Sequence, residues 1–235
     1  MKQIVLDTET TGKNPQDGHR ILEIGAIEID QAKTTNNFFH TYLNPEKHID
    51  AEVVAVHGID NEKVKDSPKF AEIVDDFLEF IKDSELFIHN ADFDIRFLNA
   101  ELARLQKGTI WDYVKKITCT LKMARSYFPT DKRFSLDKLC EKFSIDNSSR
   151  TFHGALLDSQ LLAEVYFKMQ ENAPSAEQLD VEMKNWQRPE IKLIDSKKLN
   201  LMVVEVSDQE KEAHETFLAS LEKKNNKPAA WKKLI

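Results

Sequence analysis

Ile4-Val5-Leu6-Asp7-Thr8-Glu9-Thr10-Thr11-Gly12 puts two carboxylates at the end of an apolar strand, where a charge is costly unless something binds it. Residues two apart in an extended strand face the same side, so Asp7 and Glu9 converge while Thr8 points away. A hard divalent cation is the natural partner for such a pair. Read alone, the pair is also what a strand end meeting solvent looks like. Thr10, Thr11 and Gly12 weigh against that reading, because hydroxyls and a pliant backbone directly after the carboxylates suit a sugar or phosphate held close to a metal.

Two more acidic segments lie downstream. His89-Asn90-Ala91-Asp92-Phe93-Asp94 follows the strand-like Leu86-Phe87-Ile88, and His153-Gly154-Ala155-Leu156-Leu157-Asp158 opens a helical pattern. In the first, the residues themselves do not choose between Asp92 and Asp94, nor between His89 and Asn90, and Asp92 also reads as a helix N-cap or first-turn acid. In the second, His153 and Asp158 would stand about 140° apart on a continuous helix, so His153 must precede the helix if the two share a site. A lone histidine is more often a surface or core residue than a catalyst, but the pairing with Asp158 and with two other acidic segments points to catalysis. Carboxylates and one histidine, each at an element end, are what two-metal phosphodiester hydrolysis requires.

Residues 4–7, 21–29 and 38–43 read as successive strands, with a loop over 12–20 and a turn over 30–37 between them, which predicts a meander. The spacing predicts a helix over 68–81, a short buried strand over 86–88 and a helix from 92 to about 105. Ser135 caps a helix over 136–143, and the last helix of the body runs from near 154 to 169. This order gives an α/β domain of about 170 residues, a mixed sheet flanked by helices. After Gln170, residues 171–178 are polar, small and aperiodic, which predicts a flexible linker over 171–190. Beyond it, residues 199–206 are apolar and extended, and Ser207-Asp208-Gln209-Glu210 is a capping box opening a helix to about Lys224. No internal repeat is evident.

The chain has 235 residues, 41% hydrophobic and 31% charged, an ordinary globular balance. Its apolar runs, such as Leu201-Met202-Val203-Val204, fall far short of a membrane span, and no basic-then-apolar leader opens it, so a cytoplasmic protein with no membrane partner is expected. Cys119 and Cys140, with no paired motif around them, read as buried reduced thiols rather than a disulfide or zinc site. A net charge of −7 is unusual for a nucleic-acid enzyme. Residues 171–235 carry 11 basic and 12 acidic groups, which leaves −6 on residues 1–170. Four of those negative charges belong to the candidate metal-binding carboxylates, and two divalent cations would offset them. Weak intrinsic affinity for DNA is still expected, to be supplied by a partner.

Together these residues resemble the DEDDh exonuclease family, whose three motifs stand here as Asp7-Thr8-Glu9, His89-Asn90-Ala91-Asp92-Phe93-Asp94 and His153-Gly154-Ala155-Leu156-Leu157-Asp158, agreeing in order, spacing and flanking residues. The resemblance implies a ribonuclease H-like fold. It makes Asp94, which follows the motif's Phe93, the second-motif catalytic acid, and Asp92 an additional acid at a variable position. It also implies that Glu52 and Val56-His57-Gly58-Ile59 contact the terminal nucleotide, Glu52 near its 3′-OH and His57 beside its base, with Thr10 and Asn90 in the same substrate-binding set as Asp7, Glu9 and Asp158. The implied mechanism puts Asp7, Glu9 and Asp158 on one Mg²⁺ or Mn²⁺ and has Asp7 bridge to a second cation about 4 Å away, with Asp94 bound directly or through water. His153 takes the proton from the water that attacks phosphorus in line. The 3′-oxygen of the penultimate nucleotide leaves, and a 5′-mononucleotide is released.

Residues 187–235 resemble the C-terminal segment of the proofreading subunits of bacterial DNA polymerase III, particularly at Gln187-Arg188, Ser196-Lys197-Lys198-Leu199 and Glu212-Ala213-His214-Glu215, with Trp231 near the tip. The resemblance implies that residues 191–235 dock on the polymerase alpha subunit, which holds the DNA and passes on a single-stranded or frayed 3′ end. The family carries a clamp-binding peptide where this chain has Gln178-Leu179-Asp180-Val181-Glu182-Met183, whose acidic interior departs from the usual apolar ending. Nothing in the residues reports on a theta-type small partner. The tail reads equally as a strand and helix packing back on the body. Two rival functions follow. An RNA-processing exonuclease of the same fold would lack a polymerase-docking tail. A non-catalytic polymerase-stabilising scaffold would have lost at least one of the five motif residues, and all five are present.

Overall fold

The expected meander forms because each strand has an apolar face to bury. β1 (Gln3–Thr10) pairs antiparallel with β2 (Ile21–Asp30), and β2 with β3 (Lys33–Tyr42). The computed structural model describes residues 1–148, 150–173 and 208–225. β4 (Glu85–Ile88) and β5 (Lys116–Cys119) add to the other side of β1 in parallel, giving a mixed sheet in the order β3-β2-β1-β4-β5. Helices α1 (Ala51–His57), α2 (Asn61–Val64), α3 (Phe70–Ile81), α4 (Asp92–Arg104), α5 (Thr120–Tyr127), α6 (Leu136–Phe143) and α7 (Ala155–Glu171) complete the body.

The turn expected over residues 30–37 is far shorter. β2 and β3 are joined by Gln31 and Ala32 alone, both at positive φ (46° and 62°), the backbone of a two-residue hairpin turn without its usual Asn or Gly. Residues 33–37 are polar because β3 is an exposed edge strand, where charge and amide groups discourage pairing with another chain. β5, α5, α1 and α2 were not expected. Each is short, and four-residue strands such as Lys-Ile-Thr-Cys carry too little alternation to read.

The strand alternation sorts β1 between two cores. Ile4 and Leu6 pack with Phe77, Phe97 and Leu98 on the side of α3 and α4. Val5 packs with Leu161, Leu162, Val165 and Tyr166 of α7 on the other side, where the Phe87 and Tyr166 rings lie 4.3 Å apart. Continuing that parity, Asp7 and Glu9 face α7 while Thr8 faces α4. The pairing of β1 with β4 ends at Val5 with Phe87, whereas β1 runs on to Thr10. The acids therefore sit on β1 where it outruns its parallel neighbour, in the crevice outside the carboxyl end of the sheet where α/β folds place their ligands.

The chain divides into two compact units, Met1–Pro189 and Glu190–Ile235. In the second, α8 (Asp208–Asn225) is the expected tail helix to within a residue of its end. The predicted linker from residue 174 onward, the clamp-like residues 178–183, the apolar stretch 199–206, the capping Ser207 and Trp231 lie outside the described residues. Among the described residues no helix is long and apolar enough to cross a membrane.

Candidate active site

Asp94 is delivered to β1 by the start of α4. Asn90, at φ 65°, turns the chain sharply from β4 into the helix, and its carbonyl accepts from the Phe93 N–H. Asp94 is only 3% exposed, and its Oδ1 accepts from both the Thr8 N–H (3.1 Å) and the Thr8 hydroxyl (2.7 Å). Asp92, two residues earlier, is exposed and pairs with Lys122 at 3.3 Å. The helix thus separates the two acids that the residues alone left undecided.

Asp158 is delivered by α7, and two features of β2 fix where that helix starts. Gly25 lies opposite Asp7 in the sheet register, and a Cβ there would come within 2.3 Å of the Ala155–Leu156 backbone, so only glycine allows this approach. Ser159 seals the contact by donating to the Gly25 carbonyl at 2.9 Å. Glu23, opposite Glu9, is buried; its carboxylate accepts the Ala155 N–H at 3.1 Å and meets His40 Nε2 at 2.7 Å. With α7 so placed, Asp158 in its first turn is 4% exposed and faces β1. His153 precedes the N-cap Gly154, as its five-residue offset from Asp158 demands. Its backbone N–H donates to the Val56 carbonyl at 3.2 Å, which ties the loop to the end of α1.

Burial and mutual repulsion dominate the electrostatics. Burial, then the charges of Asp94, Glu9 and Asp158, pushes the Asp7 pKa far above the ordinary carboxylate value. Burial, then Asp158 and Glu23, raises Glu9 to about 8. Burial raises Asp94 to about 7 against the pull of Thr8. Asp158 is the exception. Burial opposes its ionisation, but contacts from His153 and Arg150 and the Arg150 charge overrule it, and its pKa is lowered. Glu9, His153 and Asp158 each place a ligand atom within 4.8 Å of the others. Carboxylate oxygens held this close, their repulsion only partly offset by Arg150, fit a divalent cation.

The remaining candidates divide. His57 is buried, and its Nδ1 accepts from the Ile59 N–H at 3.0 Å, so its proton sits on Nε2, which finds no partner among the described residues. Val56 stands exposed beside it, and Glu52 is exposed in the first turn of the same helix. The Thr10 hydroxyl donates to the Gly12 carbonyl (2.7 Å), and that of Thr11 meets His19 Nδ1 (3.1 Å) and accepts the Arg20 N–H (3.0 Å). Both hydroxyls thus organise the loop. His89 has a structural role: its nitrogens meet the Thr120 hydroxyl at 3.0 Å and the Phe134 carbonyl at 2.8 Å. Asn90 is exposed on a cleft of about 690 Å³ shared with Arg125, Lys132 and Phe134. Cys119 and Cys140 are buried and unbridged.

Two residues at the site escaped the sequence reading. Glu23 carried a signal, a lone acid inside the apolar run Ile21-Leu22-Glu23-Ile24. Arg150 carried none. Its Nε and Nη2 each lie 2.6 Å from one oxygen of Asp158, Nη1 lies 2.5 Å from Asp137, and Nη2 lies 2.7 Å from His153 Nδ1.

The exonuclease family of the RNase T type matches residues 4–166. A DNA polymerase III subunit epsilon from Rickettsia felis is 44% identical over 94% of this chain and 97% of its own length. The subunit of the same name from Escherichia coli is 45% identical over 95% and 94%. Among solved structures, exonuclease X in complex with 5′-overhanging duplex DNA superposes with a TM-score of 0.58 at 24% identity, covering 75% of this chain and 96% of that one. The nuclease domain of 3′hExo, a DEDDh family member bound to rAMP, gives 0.61 at 18%, covering 73% and 92%. These likenesses carry the ribonuclease H-like fold.

Proposed function

The chain belongs to the RNase T exonuclease family and, within it, to the DNA polymerase III epsilon subunits, and from that premise we propose which of its residues carry the 3′→5′ proofreading reaction and how. The observation that supports the assignment is the convergence of Asp7, Glu9, Asp94 and Asp158 at one end of the sheet, with His153 on the adjoining loop. Asp7, Glu9 and Asp158, with Asp94, hold two divalent cations, Mg²⁺ or Mn²⁺, which when bound supply Lewis acidity toward the scissile phosphate and an acidified water. His153 takes the proton of the attacking water, since its ring stands exposed beside Asp158 while the carboxylates of the cluster are engaged as metal ligands. Glu23 and Gly25 hold α7 so that Asp158 stays over β1. Thr8 keeps Asp94 against the strand.

His57 and Val56 receive the terminal nucleotide. Burial lowers the pKa of His57, which keeps its ring neutral beside the base. Glu52 lies toward the 3′-OH, and Thr10 and Asn90 belong to the same substrate-binding set. Activity is exonucleolytic because this end of the cleft accepts a free 3′-OH. Residues 1–170 form the nuclease and 171–190 a linker, while 191–235 bind the polymerase alpha subunit, which delivers a frayed 3′ end and compensates for the net charge of −7. The assembly works in the cytoplasm, and any clamp contact would fall at residues 178–183.

The test is hydrolysis of 3′-labelled single-stranded DNA. His153→Ala should slow turnover by roughly 10²–10⁴-fold while nucleotide binding persists. A normal kcat with an unchanged acid limb in the pH profile would exclude its role. Residues 187–235 as a peptide should bind alpha in a pull-down; failure of the full-length chain to bind would move an RNA substrate ahead.

A further inference from the structure

Among the described residues, Arg150 is the cation that acts on Asp7, Glu9 and Asp158 alike. Its side chain is 6% exposed, and its Nε and Nη2 engage both oxygens of Asp158. A guanidinium only donates. His153 Nδ1, 2.7 Å from Nη2, must therefore accept, and a neutral ring then carries its proton on Nε2. In this arrangement neither nitrogen of His153 is left to take a proton from water. His153 Nδ1 also lies 3.4 Å from an Asp158 oxygen, a partner it can donate to only by giving up Nη2. Both groups on which the chemistry depends are committed to one arginine.

A divalent ion on Asp158 would stand beside that guanidinium, and two positive charges a few ångströms apart in a shielded cleft repel strongly. Arg150 has a second place to go. Its Nη1 already reaches Asp137, a half-exposed acid in the first turn of α6 that Asn147 also steadies at 3.2 Å. We propose that Arg150 is the resident counter-ion of the metal-free site, competing with the divalent cation for Asp158 and withdrawing to Asp137 when the cation binds. This rests on the reading of Asp158 as a metal ligand. Withdrawal frees His153 in the same step, so cation binding and arming of the general base are one event.

The sign of a change in metal affinity decides it. Mn²⁺ is titrated into the full-length protein, with free Mn²⁺ followed by electron paramagnetic resonance. Arg150→Gln should bind Mn²⁺ about tenfold tighter than wild type, the size of effect typical of groups beside a metal ligand. Asp137→Asn, which removes the place of withdrawal, should bind it several-fold more weakly; this exposed position also serves if Arg150→Gln fails to fold. In the wild-type chain, ¹⁵N spectra should place the His153 proton on Nε2 without metal, with Nδ1 losing its hydrogen-bond donor when Mg²⁺ is added. Weaker Mn²⁺ binding by Arg150→Gln would make Arg150 a permanent support of Asp158 and overturn the proposal, as would unchanged binding in Asp137→Asn. Asp158→Asn distinguishes the two levels: wild-type Mn²⁺ affinity there would remove the metal reading itself.

Discussion

Asp94 and Asp158 arrive at β1 from the first turns of two helices on opposite faces of the sheet, at nearly the same depth, 3% and 4% exposed. Their pKa values move in opposite directions. Asp94 is held by an N–H and a hydroxyl of Thr8, neutral donors that fail to offset burial, and it rises to about 7. Asp158 is held by His153 and a guanidinium, and its pKa falls although burial opposes its ionisation. Burial alone does not set the charge of a buried acid; the charge of its donors decides between a site waiting for a cation and one that already has one.

Removing the acids should break the comparison most visibly. Asp94→Ala should lose more than about 10²-fold in nuclease rate at saturating metal, whereas Asp92→Ala, on the exposed side of the same turn, should stay within about twofold. A dead Asp92→Ala would place the wrong side of α4 in the site. Next in size is Gly25→Ala. A Cβ 2.3 Å from the α7 backbone must push the helix and Asp158 off the sheet, costing about 2 kcal/mol or more of stability by urea denaturation. An unchanged urea midpoint would show that α7 does not need this approach. Thr8→Val removes one of the two donors to Asp94 without touching Asp158. Activity should fall about 10-fold, in keeping with the loss of a group that orients a ligand, and a wild-type rate would make that hydroxyl dispensable.

The smallest effect is on stability against pH in chelator. Glu9, at about 8, and Asp94, at about 7, keep protons in the folded chain that the unfolded chain has already released. Their contribution is full below the ordinary carboxylate range and is lost as pH rises through those values. Asp158 runs the other way: its contribution is present above the ordinary carboxylate value and disappears in acid. The Tm of the metal-free protein should therefore drop by roughly 5 °C or more between pH 5 and 9, and Mn²⁺ should flatten the slope. A Tm rising over that interval would reverse the assigned shifts.

Much of the body was legible because its signals are local. The apolar run into Asp7, the cap at Ser135 and the helical spacing over residues 70–81 each state their element within a few residues. The hairpin at Gln31-Ala32 was not legible, since neither residue is the usual choice for positive φ. At the site, Asp7, Glu9, Asp94, Asp158 and His153 stood out as charges beside apolar runs. Arg150 did not, because an arginine three residues before a histidine looks like any surface cation until the fold brings Asp137 and Asp158 to it across separate helices. The residues themselves did not choose between Asp92 and Asp94; the family motif chose Asp94, and the helix phase relative to Thr8 gives that choice a physical ground.

The most direct test of the active-site assignment uses the wild-type chain on 3′-labelled single-stranded DNA, first in excess chelator and then with Mn²⁺ restored. The expected result is no release in chelator and stepwise release of 5′-mononucleotides once Mn²⁺ is present. Undiminished hydrolysis in chelator would contradict the assignment, because the buried acids would then be working without the cations that their convergence demands.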